Sequence, residues 1–392
     1  MRRTALFSVA VWALGAVLLR ATILAPQYCP AVSPESALAS ARLAAAWIES
    51  NQYPDGSYVY EYTIDSDTDL LGYNVVRHAG VTMSLYQLAA AGDLSVLPAA
   101  DAGLRWMLRN LYRHDDWAAL QDPGNGTVRL GATALMLASL LQRRIATGDD
   151  QYDDLMRELA RGMLALQLPD GAFLNRWDVA AAAPVPGERS KYATGEAFWA
   201  LTLMHRLFPD EGWDVPARRT ARYLAEDRDR VENLKFPPWA DQWAAYGFGE
   251  MAAWGLTDSE VRYLESLAGR FGLLVRSDAA RRDTWWSRLL HGRQARAAGL
   301  GTWGEGLAGL HRAAAADPRL THLLPAVEER LACAAGMLQE RQFDAREAAA
   351  APNRTRAEGA WFTDGITRMD DQQHALSALL LASLILAGKD QP

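Results

Sequence analysis

Tyr192-Ala193-Thr194-Gly195-Glu196-Ala197 runs without a break into residues 198–207, a stretch apolar on nearly every face. A helix that is hydrophobic all round must be enclosed by protein, and small residues in its first turn let a neighbouring backbone or a ligand come close. Five other stretches share the design: Tyr73-Asn74-Val75-Val76-Arg77-His78-Ala79-Gly80, Val128-Arg129-Leu130-Gly131-Ala132-Thr133, Trp239-Ala240-Asp241-Gln242-Trp243-Ala244, Thr302-Trp303-Gly304-Glu305-Gly306-Leu307 and Asp370-Asp371-Gln372-Gln373-His374-Ala375. They recur at intervals of roughly 45–65 residues, each after another helical stretch, so the unit is a helical hairpin repeated six times. The expectation is an all-α fold, an (α/α)6 toroid: a closed ring whose inner helices aim their polar starts at one cavity.

The outer helices of these hairpins are expected at 34–51, 97–111, 150–166, 214–226, 258–271 and 324–341, from their apolar spacing and from Asp or Pro at their starts. The first ends in Gln52-Tyr53-Pro54-Asp55-Gly56, and the ending recurs as Gln167-Leu168-Pro169-Asp170-Gly171. Proline presets one turn dihedral and glycine supplies the positive one. Residues 57–62 alternate and predict a small hairpin at the rim; 178–191, 277–300 and 342–358 read as irregular, and loops of that length in a compact domain are commonly functional. Gln52-x-x-Asp55-Gly56-x-Tyr58 and Gln167-x-x-Asp170-Gly171-x-Phe173, each followed by a second apolar helix, resemble the hairpin ends of the (α/α) toroid superfamily. That superfamily includes six-hairpin glycosidase-like and epimerase-like proteins and, with tryptophan at the last position, the terpenoid cyclases. The resemblance spans residues 33–388 as a single catalytic domain; it implies an architecture and carries over no catalytic residue.

Half of the 392 residues are hydrophobic, ample for one large core, and the net charge of −7 is spread along the chain. Nucleic acid is therefore not an expected partner, since a phosphate backbone demands a basic face. Residues 1–26 differ from the rest: Arg2 and Arg3 precede an apolar run from 5 to 19, and Arg20 interrupts it. This is the pattern of a signal peptide or retained signal anchor, although a membrane span needs about 20 apolar residues. It places the toroid on the extracytoplasmic face of a membrane, tethered by the N-terminal segment, or in a secreted or periplasmic location. Cys333 falls in an apolar helical run, where a small buried hydrophobe rather than a disulfide to Cys29 is expected.

Aligning the inner-helix starts puts His78, Gly131, Glu196, Gln242 or Trp243, Glu305 and His374 in one layer, with Asn74, Tyr192, Trp239, Trp303, Asp370 and Asp371 nearer the mouth. Helix N-termini favour anionic or hydroxyl-rich ligands. Sugar rings stack on aromatic faces, which suits Tyr73, Tyr192, Trp239, Trp303 and Trp361, while Arg77 and Arg129 offer fixed cations and Asn74, Gln242 and Asp370 polar contacts. The first expectation is a carbohydrate-active enzyme hydrolysing a glycosidic bond, with Glu305 and Asp241 as the acid/base pair and Glu196 and Asp371 as substitutes. His78, His374 and Arg77 would hold substrate. Asp241, Asp370 and Asp371 also suit helix caps. Alternatives are a sugar epimerase or polysaccharide lyase using His78 and His374 as a proton-transferring pair, a terpenoid-cyclase-like enzyme, or a non-catalytic glycan-binding protein of envelope assembly. No cofactor or metal is expected: Gly-rich phosphate loops, nucleophile elbows and HExxH are missing from the sequence, and Asp65, Asp67 and Asp69 read as a solvated turn. Trp285-Trp286 suits a lid or a membrane contact.

Overall fold

The computed structural model describes residues 2–22, 24–234 and 239–392; Met1 and Ile23, inside the expected leader, lie outside the described residues. Six helices form an inner ring: α3 (Val75–Ala90), α5 (Leu130–Thr147), α7 (Ala193–Leu207), α10 (Gln242–Met251), α13 (Ala297–Ala316) and α17 (Met369–Leu386). Each packs on the next, and α17 packs on α3, so the ring closes. Around it stand α2 (Pro34–Ser50), α4 (Leu97–Arg109), α6 (Asp153–Leu164), α8 (Asp214–Arg222), α11 (Asp258–Ala279) and α14 (Leu324–Glu340). The two rings differ as their sequences require. In α6, buried Leu155, Met156, Leu159, Ala160 and Met163 make one stripe, whereas α7 is buried from Ala193 through Met204. Glycines set how closely the inner helices approach: a Cβ on Gly301 would meet the His374 backbone, and one on Gly309 the Ala245 carbonyl.

The recurring turn is a clamp between hairpins. Gln52 Nε2 donates to Ala99 O (3.1 Å) at the start of α4, and Gln167 Nε2 donates to Pro216 O (3.0 Å) at the start of α8. Gly56 (φ 90°) and Gly171 (φ 92°) lie against the Ala102 and Arg219 carbonyls, three residues further along those same helices. One motif therefore does one job at two seams.

Every long connection runs from an outer to an inner helix, so all gather at the end where the inner helices begin. They carry α9 (Arg228–Val231), α12 (Trp285–His291), α15 (Ala345–Ala348), α16 (Arg354–Ala357) and short strands. β1 (Glu61–Thr63) pairs antiparallel with both β2 (Thr68–Leu70) and β8 (Ile366–Arg368), tying the first connection to the last. β3 (Leu111–His114) pairs with β4 (Trp117–Leu120), and β6 (Arg176–Asp178) joins β5 (Val128–Arg129) to β7 (Ala183–Pro184). The expected rim hairpin exists, shifted to start at Glu61. Residues 178–191 and 277–300 are more regular than expected: the first includes β7, and the second holds the end of α11, all of α12 and the start of α13. α11 continues past Phe271 because Val275, Asp278 and Ala279 remain buried.

Helix α1 (Arg2–Ala21) precedes the rings, with Phe7, Trp12 and Leu14 among its exposed side chains. Among the described residues no helix is long and apolar enough to cross a membrane. Cys29 and Cys333 form a disulfide that fastens the segment before α2 to α14. This corrects the expectation that they stay apart: Cys333 is buried, but it is bonded to the sulfur of a cysteine 304 residues away, a pairing no local pattern can show.

Candidate active site

The inner-helix starts do converge. His374, one turn into α17, places Nδ1 2.8 Å from Glu305 Oε2 on α13. Helix α13 begins at Ala297, so Glu305 is two turns deep rather than at the mouth, and it is wholly buried, while the His374 side chain keeps 13% of its surface. Burial alone would lower the imidazole, but the Glu305 carboxylate, aided by Asp370 and Glu196, holds it above its ordinary value. Burial raises Glu305, and His374 opposes the rise. Since Nδ1 is engaged, Nε2 is the atom of this dyad left for chemistry. Trp243 flanks the imidazole, with ring centroids 5.9 Å apart.

Glu196 lies in the first turn of α7, with its carboxylate against Gly131 of α5, where any Cβ would collide with it. It makes no side-chain hydrogen bond among the described residues. Burial pushes its carboxyl up to about 8; the Asp241 charge adds to the shift and His374 opposes it. At neutral pH Glu196 is thus a protonated acid within electrostatic reach of an imidazole on the facing wall.

Toward the mouth, Arg77 pairs with Asp370 (3.2 Å), and its Nη1 donates to Tyr60 OH (3.0 Å). Asp370 Oδ1 is buried without a partner among the described residues. Arg129, at the N-cap of α5, is partly exposed and forms no ion pair among the described residues. Tyr192 is exposed and meets Trp239 edge-on at 5.0 Å, with Lys191 Nζ 5.5 Å from that indole. Trp303 is half-buried in α13. These residues make an accessible rim of aromatic faces and cations.

Other candidates are occupied elsewhere. Asp241 caps α10, accepting from Ala244 N (3.1 Å), and its second oxygen is ion-paired with Arg228; both side chains are fully buried. Asp241, expected as the catalytic partner of Glu305, is thus engaged as the cap of α10, and its charge acts on Glu196. Asp371 accepts from Ala298 N (3.0 Å) and Arg368 N (3.1 Å) and is ion-paired with Arg296, fastening α17 to the start of α13. Asn74 caps α3 through Val76 N and Arg77 N. Gln242 is buried in the first turn of α10. Trp361 is core, donating Nε1–H to Leu338 O (2.8 Å).

His78 also departs from expectation. Its Nε2 faces the Gly103 carbonyl (3.0 Å) and must carry the hydrogen, so Nδ1 accepts from Tyr73 OH (2.6 Å), which itself accepts from Tyr58 N. The ring stacks on Trp106 of α4, with centroids 4.2 Å apart, and burial pushes it down to about 4. It is a neutral seam residue whose hydrogen bonds go to Gly103 and Tyr73 rather than to His374, and Tyr73 serves the same seam. The expected pair of facing histidines does not form.

Two residues escaped the sequence reading. Arg228 follows a π-helical turn (Tyr223–Asp227), and its Nη2 donates to Tyr263 OH (2.7 Å). Tyr246, buried in α10, feels the Glu305 charge. A buried arginine in a charged helix end reads as a surface residue, and a tyrosine in an apolar helix reads as core.

No family model matches the chain, and no curated protein matches it. Solved structures do. The cellobiose 2-epimerase of Spirochaeta thermophila superposes with a TM-score of 0.59 at 13% identity, over 90% of this chain and 98% of that one. A D-mannose isomerase gives 0.60 at 12%, over 89% and 96%. An inactive variant of a Salegentibacter α-1,6-mannanase, solved with α-1,6-mannotriose, gives 0.57 at 13%, over 88% and 99%. All are (α/α)6 toroid enzymes, so the architecture is shared; at such identities the likeness concerns the fold.

Proposed function

We propose that this chain is a carbohydrate-active enzyme working by general acid–base catalysis, with hydrolysis of a glycosidic bond as the leading reaction. The observation that carries the reading is the buried Glu196 carboxyl, pushed up to about 8 and within electrostatic reach of the His374–Glu305 dyad. Glu196 donates its proton to the leaving glycosidic oxygen. His374 Nε2 takes a proton from the water that attacks the anomeric carbon, and buried Glu305 orients the ring and stabilises the imidazolium. The bond to the leaving oxygen breaks as that to water forms, and the two proton transfers balance. Tyr192, Trp239 and Trp303 offer faces for sugar rings, and Arg77, Arg129 and Asp370 hold hydroxyl or acid groups. The toroid enzymes that the fold resembles act on sugars, which supports this substrate class.

A second reading, epimerisation or isomerisation, is favoured by the nature of the base, an imidazole rather than a second carboxylate. Incubating the protein with mannan- and glucan-derived oligosaccharides in deuterium oxide separates the two. New reducing ends without carbon-bound deuterium indicate hydrolysis; deuterium on a sugar carbon indicates proton abstraction there. In either case Glu196→Gln and His374→Ala are each expected to lower kcat by about 100-fold or more. Turnover unaffected by both overturns the assignment of Glu196 and His374, and glycan binding without any turnover overturns the enzyme reading and leaves a glycan-binding protein.

We further propose that the protein is exported and tethered through residues 1–26. The basic start and apolar run of that segment support this, as does the Cys29–Cys333 disulfide, a bond characteristic of oxidising compartments. Protease accessibility on intact cells tests it; protection that persists when the outer envelope is opened points to the cytoplasm.

A further inference from the structure

Helix α12 is amphipathic in the reverse sense. Trp285, Trp286, Leu289 and Leu290, four of its seven residues, are exposed, whereas Ser287 is buried and its Oγ accepts from Arg282 N (2.7 Å). Positions i, i+1, i+4 and i+5 form one contiguous face, and the two indoles stack at 3.9 Å. An ordinary surface helix turns its apolar stripe inward; this one holds it out, and water is a poor neighbour for such a patch.

Three observations indicate the occupant. The first is charge: residues 276–296 contain six arginines and two aspartates in a chain of net charge −7. Four of the six are ion-paired, Arg281 with Asp278, Arg288 with Asp283, Arg293 with Asp364 and Arg296 with Asp371; among the described residues exposed Arg276 forms no ion pair, and the Arg282 guanidinium donates only to carbonyls and lies 5.3 Å from the Tyr28 ring. The second is continuity. The segment after α1 is fixed to this corner by Tyr28 N donating to Ala279 O (2.7 Å) and Arg282 reaching Pro26 O, so the exposed apolar α1 leaves the toroid beside α12. The third is composition, since paired tryptophans and leucines beside arginines match the boundary between headgroups and acyl chains.

We infer that α12 is a docking face for an anionic lipid bilayer, with Trp285, Trp286, Leu289 and Leu290 entering the headgroup–acyl boundary and Arg276 and Arg282 facing lipid phosphates. Because α12 belongs to the connection between α11 and α13, it stands at the same end as the mouth. Docking sets the opening close to the bilayer surface, so the substrate becomes a glycan presented there. Only this last clause rests on the proposed function; the docking itself does not.

The test is binding of the full chain to vesicles of phosphatidylcholine with and without about one-third phosphatidylglycerol. The variant Trp285→Ser/Trp286→Ser/Leu289→Ser/Leu290→Ser, checked for native circular dichroism, is expected to bind anionic vesicles at least about tenfold more weakly than wild type. Arg276→Gln/Arg282→Gln should reduce the preference for anionic over neutral vesicles. Equal partitioning of wild type and the four-residue variant would mean that α1 alone binds lipid and would overturn the inference. So would a wild-type dimer that the same variant makes monomeric without any lipid effect. Should the four-residue variant fail to fold, Leu290→Cys carrying an environment-sensitive dye reads the same question: a blue shift on adding anionic vesicles is expected, and an unchanged spectrum overturns it. None of these outcomes touches turnover of soluble oligosaccharides, so failure here is distinct from failure of the catalytic reading.

Discussion

Glu196 has its proton held by the fold: the carboxyl sits near 8 against an ordinary 4.5 because burial disfavours the charge. The native state therefore binds this proton more tightly than the unfolded chain does. The stability it contributes is complete below pH 4.5, diminishes as pH rises toward 8, and is flat beyond. Glu196→Gln lacks that decline, so its melting temperature should rise relative to wild type between pH 5 and 8 and hold that lead at pH 9. Parallel melting temperatures across the range would show that the carboxyl is not buried in its neutral form. Catalysis carries the same signature. With Glu196 as acid and His374 as base, the rate should be bell-shaped, falling at alkaline pH through about 8 and at acid pH through the raised value of His374. Glu305→Gln removes the charge that raises His374, so the acid limb should move to lower pH together with a loss of kcat. An unmoved limb in the pH profile would mean that Glu305 does not act through His374.

At the scale of elements, the π-helical turn at Tyr223–Asp227 matters because it delivers Arg228 to the cap of α10. Removing one partner of a buried ion pair leaves the other charge unpaired, at a cost of about 3–5 kcal/mol. Arg228→Met should lose that much in a urea titration, and adding Asp241→Asn should recover a large part. A loss under about 1 kcal/mol would show that the pair is solvated. The same pair shows how far the sequence could be read. The seam clamps at Gln52 and Gln167 and the all-round apolar inner helices are local patterns, and they suffice for the ring. Glu196 and Asp241, by contrast, are both acids at the starts of glycine- and alanine-rich helices. Which one is a cap and which a protonated acid depends on whether an arginine arrives from another loop. His78 and His374 occupy like positions, yet one turns outward to Gly103 and Trp106 and the other toward Glu305. Helix starts reveal depth and residue type; they do not reveal on which side of the ring a side chain points.

Taken whole, the molecule is held shut at its seam by β1 pairing with β8, by α17 packing on both α2 and α3, and by the Cys29–Cys333 disulfide. Because that bond closes a loop of most of the chain, its removal should cost about 2–5 kcal/mol. Cys29→Ser/Cys333→Ser, compared with wild type in guanidinium, should show the loss, and dithiothreitol should produce it in wild type alone. Identical transitions would mean that the packing of α2 on α17 suffices without the link. The two flanks of that seam lie so near each other that the Lys389 charge acts on Glu35. A necklace fastened this way has no preferred first bead. Splicing residue 389 to residue 33 through a short flexible bridge, with Cys333→Ser because Cys29 is removed, and cutting instead at Gly148, between α5 and α6, should yield a rearranged chain that is less stable by the contribution of the lost disulfide yet has the same helical spectrum and the same proposed activity, if that activity depends on the circle and not on the order in which its parts are threaded.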